Sequence, residues 1–315
     1  MEKLQDVNIK EVMTFCTRSF SEDLRCGVLV SDGAMGTMLY ERGAFLNRAF
    51  EELNRSKPDL VFDIHSAYVD AGADIIESNT FGANRMKLGN FGLQDEVSSF
   101  NAAGVALARN AAREGVFVAG AMGPLGLLRA PEGEIERNFA IEVFREQAEA
   151  LLEPGSIDIF MLETFGFLAE LRLAVQAIRL VTTIPVVAQV TTDNTGCTSD
   201  GAALDVVARS LTDEGSDVVG VNCSDGPASM LIAVERFCAV ATGPLAAQPN
   251  AGRPRQVDGR TLYLSSPDFI ASYARRFAKL GVKVIGGCCG TTPDHTRSIK
   301  AVIGRESCEA KNEKL

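Results

Sequence analysis

Short apolar runs recur along the chain, separated by longer stretches in which apolar residues return every three or four positions. The short runs are Val28–Ser31, Asp74–Ser78, Val116–Ala121, Ile157–Leu162, Pro185–Val190, Asp217–Val221, Pro244–Gln248 and Lys283–Gly286. Each is continuous and most are rich in β-branched residues, as strands buried on both faces are. The longer stretches predict helices over Leu60–Ala71, Val97–Ala112, Asn138–Leu152, Leu168–Val181, Ala203–Asp213, Ala228–Ala239, Pro267–Leu280 and Pro293–Ile303. Gly or Pro follows most of them, at Gly72, Gly115, Pro154, Gly215 and Gly281, where a helix must stop.

Eight strands, each followed by a helix, require a parallel sheet. No Gly-x-Gly-x-x-Gly follows the first strand, so the pattern favours an α/β fold of the closed (β/α)8 TIM-barrel type over an open doubly wound sheet. The expected organisation is a short N-terminal helical extension over residues 1–26, a barrel over 27–304 and a polar, frayed tail over 305–315. Within the extension, Ile9–Phe20 is weakly amphipathic and is expected to lie as a helix across the barrel bottom.

Composition narrows the function. The chain has 315 residues with 31 basic and 41 acidic side chains, a net charge of −10, and no Trp. Without a basic block or interleaved aromatics, a nucleic-acid surface is not expected. No run of 18 apolar residues offers a membrane span, and the N-terminus lacks the features of a signal peptide, so the expected compartment is the cytoplasm. Eight Cys are too few for a disulfide scaffold at this length. Cys16, Cys26, Cys197, Cys238 and Cys308 are scattered and read as small core hydrophobes.

In barrels of this type the site forms where the strands end. Those ends carry Asp32–Thr37, Asn79–Asn84, Met122–Gly126, Glu163–Phe165, Thr191–Asp193, Asn222–Cys223, Pro249–Gly252 and Gly287–Thr292. Cys223 and the pair Cys288–Cys289 thus fall on neighbouring rims facing one mouth. Three converging thiolates suit one Zn²⁺ and leave a fourth, tetrahedral position open for a substrate. Gly286, Gly287 and Gly290 give the backbone freedom to aim two adjacent sulfurs at one ion. The same glycines could instead form a phosphate loop, although the nearby thiolates would repel a phosphate dianion.

Glu163 ends an apolar strand, where a carboxylate is costly unless paired. It could accept from a buried N–H or receive a substrate ammonium, and its rim position favours the second. Asp32 is open to the same two readings, and the Asp32–Ala34 turn could hold a carboxylate on its N–H groups. Asp95 and Asp294 read as helix caps. The two histidines, His65 and His295, read as surface or capping residues and exclude a His-based triad or a three-His zinc site.

The phrases DGAMGTML (Asp32–Leu39), AGADIIESNTFGAN (Ala71–Asn84), GVNC (Gly220–Cys223) and GGCCGTT (Gly286–Thr292) resemble the zinc-dependent homocysteine S-methyltransferase family. The resemblance runs over about residues 27–303. The phrases FEELN (Phe50–Asn54) and PNAGRPRQVDG (Pro249–Gly259) are similar to the homocysteine-binding module of cobalamin-dependent methionine synthases, and to that of enzymes fused to a methylenetetrahydrofolate reductase. On this resemblance, Cys223, Cys288 and Cys289 bind one zinc, and Glu163 with the Asp32 region receives the ammonium of L-homocysteine. The backbone of Gly33 and Ala34 receives its carboxylate, Asn222 orients a ligand or the incoming thiol, and Thr80 and Phe81 line the pocket.

The implied reaction is methyl transfer to the homocysteine thiol, giving methionine. The methyl donor is methylcobalamin or a folate supplied by a corrinoid-, folate- or reductase-bearing partner, or a sulfonium or ammonium compound. Two other readings stay open: a zinc- and homocysteine-binding module inactive without that partner, and a methyltransferase for another small thiol. A metal-free structural barrel is the reading that zinc analysis would remove.

Overall fold

The structure, a computed structural model, describes residues 19–45, 47–127, 133–153, 157–193, 196–257 and 260–312. Its strands are β1 Leu29–Val30, β2 Ile75–Glu77, β3 Phe117–Met122, β4 Ile159–Phe165, β5 Val186–Val190, β6 Val218–Cys223, β7 Leu245–Pro249, β8 Arg255–Val257, β9 Arg260–Leu262 and β10 Val284–Ile285. All except β8 and β9 form one parallel sheet, ordered β1-β10-β7-β6-β5-β4-β3-β2. A parallel bridge between Ser31 and Ile75 joins the two ends of that order and completes the ring. The expected (β/α)8 barrel is therefore what the chain forms.

The helices are α1 Phe20–Cys26, α2 Gly36–Glu41, α3 Leu53–Ser56, α4 Pro58–Asp70, α5 Arg85–Gly89, α6 Val97–Ala111, α7 Gly133–Leu152, α8 Leu168–Val181, α9 Leu204–Asp213, α10 Pro227–Cys238, α11 Pro267–Lys279 and α12 Pro293–Asn312. Four begin their helical ladder as sequence rules require. Pro occupies the first turn of α4, α10 and α11, where its missing N–H costs nothing. The Ser266 and Asn84 side chains accept from the first turns of α11 and α5. α8 shows the amphipathic logic clearly: Leu171, Ala174, Val175 and Ile178 are buried against the strands while Arg172 and Arg179 point outward to Glu214 and Asp217.

The structure departs from the sequence expectations in four places. The segment Ile9–Phe20 lies almost wholly outside the described residues, and the helix beside the barrel bottom is α1, Phe20–Cys26. α12 runs on to Asn312, through most of the residues expected to form a frayed tail. α2, α3 and α5 fold within the β1–β2 and β2–β3 connections. A small antiparallel hairpin, β8–β9, follows β7 in place of a loop.

Two cores result. An outer one fills the space between strands and helices. The inner one closes the N-terminal end of the barrel with Leu29, Ile75, Phe117, Ile159, Met161, Val187, Val218 and Val284, and α1 inserts Phe20 and Leu24 into it. The Phe20 and Phe117 rings meet edge to face at 5.6 Å between centroids. Among the described residues, no helix is long and apolar enough to cross a membrane.

Candidate functional site

Above the inner core the strand interiors turn polar. Gln189 Nε2 donates to Gln248 Oε1 at 2.5 Å, and Gln248 Nε2 donates to Glu77 Oε1 at 2.7 Å. These bonds lead upward into a cavity of about 300 Å³ at the C-terminal mouth. Its walls include the Gly33–Thr37 turn, Phe50, Glu51, Glu77, Phe81, Glu163, Thr164 and the sulfurs of Cys223, Cys288 and Cys289.

The three sulfurs lie within 4.8 Å of one another, and Cys223 Sγ is 3.9 Å from Cys289 Sγ. Thiolates bound tetrahedrally to one ion at about 2.3 Å would stand about 3.8 Å apart, so the cluster already has the spacing of a metal site. Hydrogen bonding with Cys223 and Cys288 holds the Cys289 thiol well below its ordinary range, whereas hydrogen bonding with Cys223 and Cys289, with burial, pushes Cys288 well above it. Asn250 Oδ1, on the loop beside them, is buried without a hydrogen-bond partner. A cation would neutralise the three sulfurs, and a donor set of three sulfurs fits a thiophilic one.

The backbone is strained at the same place. Thr164, Cys223 and Ser224 have φ values of 64°, 57° and 61°, and they are the non-glycine residues in the left-handed region among those described. β4 shifts register between Leu162 and Phe165, which turns Glu163 and Thr164 into the mouth. Asn222 braces this bulge: its Oδ1 accepts the Thr164 N–H at 2.7 Å, and its Nδ2 lies 2.9 Å from Thr164 Oγ1, 3.3 Å from Glu163 Oε2 and 3.8 Å from Cys288 Sγ.

Three carboxyl groups share the floor. Asp32 Oδ2 accepts the Glu77 N–H at 2.9 Å, and the Ser31 hydroxyl lies 3.4 Å from Asp32 Oδ1 and 3.3 Å from Glu77 Oε1. Glu163 lines the same cavity as Glu77. Burial, then the Glu77 and Cys289 charges, pushes Glu163 well above the usual carboxylate range; burial, then Glu77, does the same to Asp32. Such a trio retains a proton until a cation arrives.

Other expected site residues fall in different places. Phe81 lines the cavity, but Thr80 is buried behind it with its hydroxyl donating to Ala121 O at 2.8 Å. Gly33 and Ala34 line the cavity, although the Ala34 N–H already donates to Thr291 Oγ1 at 3.2 Å. The phosphate-loop reading fails, because the N–H groups of Gly286, Gly287 and Cys288 are all taken by backbone carbonyls. Neither histidine is on the surface. His65 is fully buried in α4 with both ring nitrogens unpartnered, and burial lowers it to about 4. His295 Nδ1 accepts the Thr292 N–H at 3.1 Å, and its Nε2 meets Ser265 O at 3.0 Å. Asp294 pairs with Arg297 rather than capping its helix.

Sequence reasoning missed Glu77 and Glu51, which line the cavity. Glu77 was recoverable: side chains two apart on a strand share a face, so Ile75 in the inner core puts Glu77 on the inside too. Glu51, whose Oε1 accepts the Gly82 N–H at 2.6 Å, depends on long-range folding that no local pattern shows.

A parallel barrel that gathers three cysteines with the spacing of metal ligands at its C-terminal mouth has the architecture of a barrel enzyme with a site able to hold a metal ion. The chain belongs to the homocysteine S-methyltransferase family, whose model matches residues 29–303. It is 34% identical over 304 residues to methionine synthase of Mycobacterium leprae, covering 90% of this chain and 25% of that protein. With methionine synthase of Mycobacterium tuberculosis it shares 35% over 294 residues, covering 88% of this chain and 24% of that protein. The chain thus spans about a quarter of these relatives' length. Its fold matches the crystal structure of the homocysteine methyltransferase MmuM from Escherichia coli in metallated form, with a TM-score of 0.74 and 24% identity over 87% of this chain and 96% of that one.

Proposed function

We propose that this chain binds one zinc ion and L-homocysteine and methylates the homocysteine thiol, giving methionine. The observation that carries the proposal is the sulfur trio set within one cavity beside the carboxyl trio. Cys223, Cys288 and Cys289 hold the ion. Zinc, when bound, keeps the acceptor sulfur deprotonated at neutral pH, where a free thiol of pKa about 8.5 is mostly protonated.

The chain's own residues place the amino acid. Glu163, Asp32 and Glu77 receive its ammonium, which supplies the positive charge that the buried carboxyl groups lack. The backbone of Gly33 and Ala34 receives its carboxylate, the Ala34 N–H exchanging Thr291 Oγ1 for it. Phe81 packs against the aliphatic stem, and Asn222 keeps Glu163 and Cys288 in register. The acceptor sulfur then attacks the methyl group in line as the bond from methyl to its carrier breaks. The product is a neutral thioether, a weak ligand for zinc, and leaves.

The methyl group comes from methylcobalamin or a folate presented by a partner domain or protein. The match to a quarter of much longer methionine synthases supports a second form of this reading, in which the chain loads zinc and homocysteine but turns over only with that partner. Zinc analysis with a homocysteine titration read by X-ray absorption tests the acceptor half. One zinc per chain, passing from three sulfur neighbours to four, is expected; protein that takes up no zinc under reducing conditions removes the proposal.

A further inference from the structure

A second cavity, of about 180 Å³, lies beside the mouth and shares with it the wall made by Phe50, Glu51 and Phe81. Its other walls include Arg48, Lys87 and Phe91, and none of the three sulfurs. The wall is firmly set. A Cβ at Gly123 would lie 2.3 Å from Phe81 Cε2, so the ring occupies space that only glycine leaves free. Phe91 is 45% exposed, an apolar ring half in water at the edge of a cavity.

Lys87 is equally well placed. Its N–H donates to Asn84 Oδ1 at 2.9 Å, and its ammonium stands over the Phe81 ring, 4.8 Å from the centroid. Among the described residues that ammonium has no hydrogen-bond acceptor. The acids whose charges reach it are engaged elsewhere: Glu51 Oε1 accepts the Gly82 N–H at 2.6 Å, Glu170 Oε1 accepts the Leu125 N–H at 2.7 Å, and Glu163 lines the mouth. Burial pushes Lys87 below the usual lysine range and Glu51 above the usual carboxylate range, so an arriving anion would relieve the first without facing a full charge on the second. Arg48 brings another unused donor. It pairs with Glu52 and reaches Ser56 Oγ at 3.3 Å, both through Nη2, while its Nε is buried with no partner.

Three phenyl rings beside two unmatched cationic donors suit a flat apolar ligand with an anionic end. We propose that this side cavity is a second binding site, for a small aromatic carboxylate whose ring lies among Phe50, Phe81 and Phe91 and whose carboxylate accepts from Lys87 and Arg48. Because Phe50 and Phe81 also wall the mouth, its occupant is one layer of side chains away from the sulfurs and carboxyl groups there. The site does not rest on the zinc reading, since no sulfur belongs to it.

The test is a fluorine NMR titration of the full chain with para-fluorobenzoate, and with para-fluorobenzyl alcohol as its uncharged match. Wild-type protein is expected to bind the carboxylate about tenfold more tightly than the alcohol, the scale of a hydrogen bond to a charged group. Lys87→Met keeps an unbranched stem beside Phe81 and removes the charge. It should weaken the carboxylate about tenfold and leave the alcohol unchanged. Phe91→Ala, at a half-exposed position, should weaken both probes about fivefold. No binding of the carboxylate, or equal affinity of wild-type protein for the two probes, overturns the proposal. So does full carboxylate affinity in Lys87→Met or in Phe91→Ala, which would put the probe elsewhere on the chain. Zinc content enters none of these readings, so failure of this site and failure of the zinc site show separately.

Discussion

At the N-terminal end of the barrel, Ile75, Met161, Val187 and Ala246 point inward and pack around Phe20 and Phe117. Two residues further along the same strands, the inward positions are Glu77, Glu163, Gln189 and Gln248. One pleat of each strand thus separates a dry plug from a charged mouth. The plug is relaxed: its residues are buried, apolar and in ordinary strand geometry. The mouth holds three carboxyl groups, three sulfurs and three left-handed non-glycine residues. The comparison teaches that the barrel confines costly groups to one end and secures them with packing at the other.

The sharpest way to break the comparison is to remove a sulfur. Cys288→Ala should abolish stoichiometric zinc and lower methyl transfer by about a thousandfold or more, with the circular dichroism spectrum unchanged. Zinc retained at one per chain would show that the mouth does not work as described. The reverse experiment is at the plug. Phe117→Ala should lower the unfolding free energy by about 3–5 kcal/mol in urea titrations while leaving zinc content untouched. Metal loss from that variant would mean that the two ends are not separable.

His65 sharpens the contrast between buried groups that are used and those that are not. Its pKa is about 4 when folded, below the ordinary value of 6.5, so the unfolded chain binds the extra proton between those limits. Stability from keeping His65 neutral is full above about pH 6.5 and is lost as pH falls toward 4, to a total of about 3 kcal/mol. His65→Leu should flatten the pH dependence of unfolding across that window, and an unchanged slope would assign the acid sensitivity elsewhere. The smallest expected effect is at the carboxyl trio. Glu163→Gln should weaken homocysteine binding by about 10- to 30-fold by calorimetry without stripping zinc, the scale of one hydrogen bond to a charged group. Unchanged affinity would remove Glu163 from the ammonium site.

The barrel was legible because its strands are buried on both faces and so read as unbroken apolar runs between helices. The sulfur site was legible because residues at successive strand ends must converge once the barrel closes. What stayed hidden lacked a local signature. The Phe20–Cys26 helix follows Ser19 and carries Glu22 and Asp23 in its first turn, ordinary start signals, but it is only 7 residues long. The β8–β9 hairpin flanks Asp258–Gly259, a dipeptide suited to tight turns, yet its two strands are 3 residues each and polar or exposed. Thr80 was misplaced for the opposite reason: it sits at a strand end, but the backbone turns its hydroxyl toward β3 rather than into the mouth.

Asn222 touches Glu163 and Cys288 with one amide nitrogen while its oxygen holds the backbone between two strands. Any ion held by the sulfurs and any ammonium held by the carboxyl groups therefore share a side chain, and the occupancy of one alters the free energy of the other. Linkage makes that influence reciprocal. By whatever factor a bound amino acid lowers the dissociation constant of the ion, read by equilibrium competition with a chelator, the ion must lower the dissociation constant of that amino acid by the same factor.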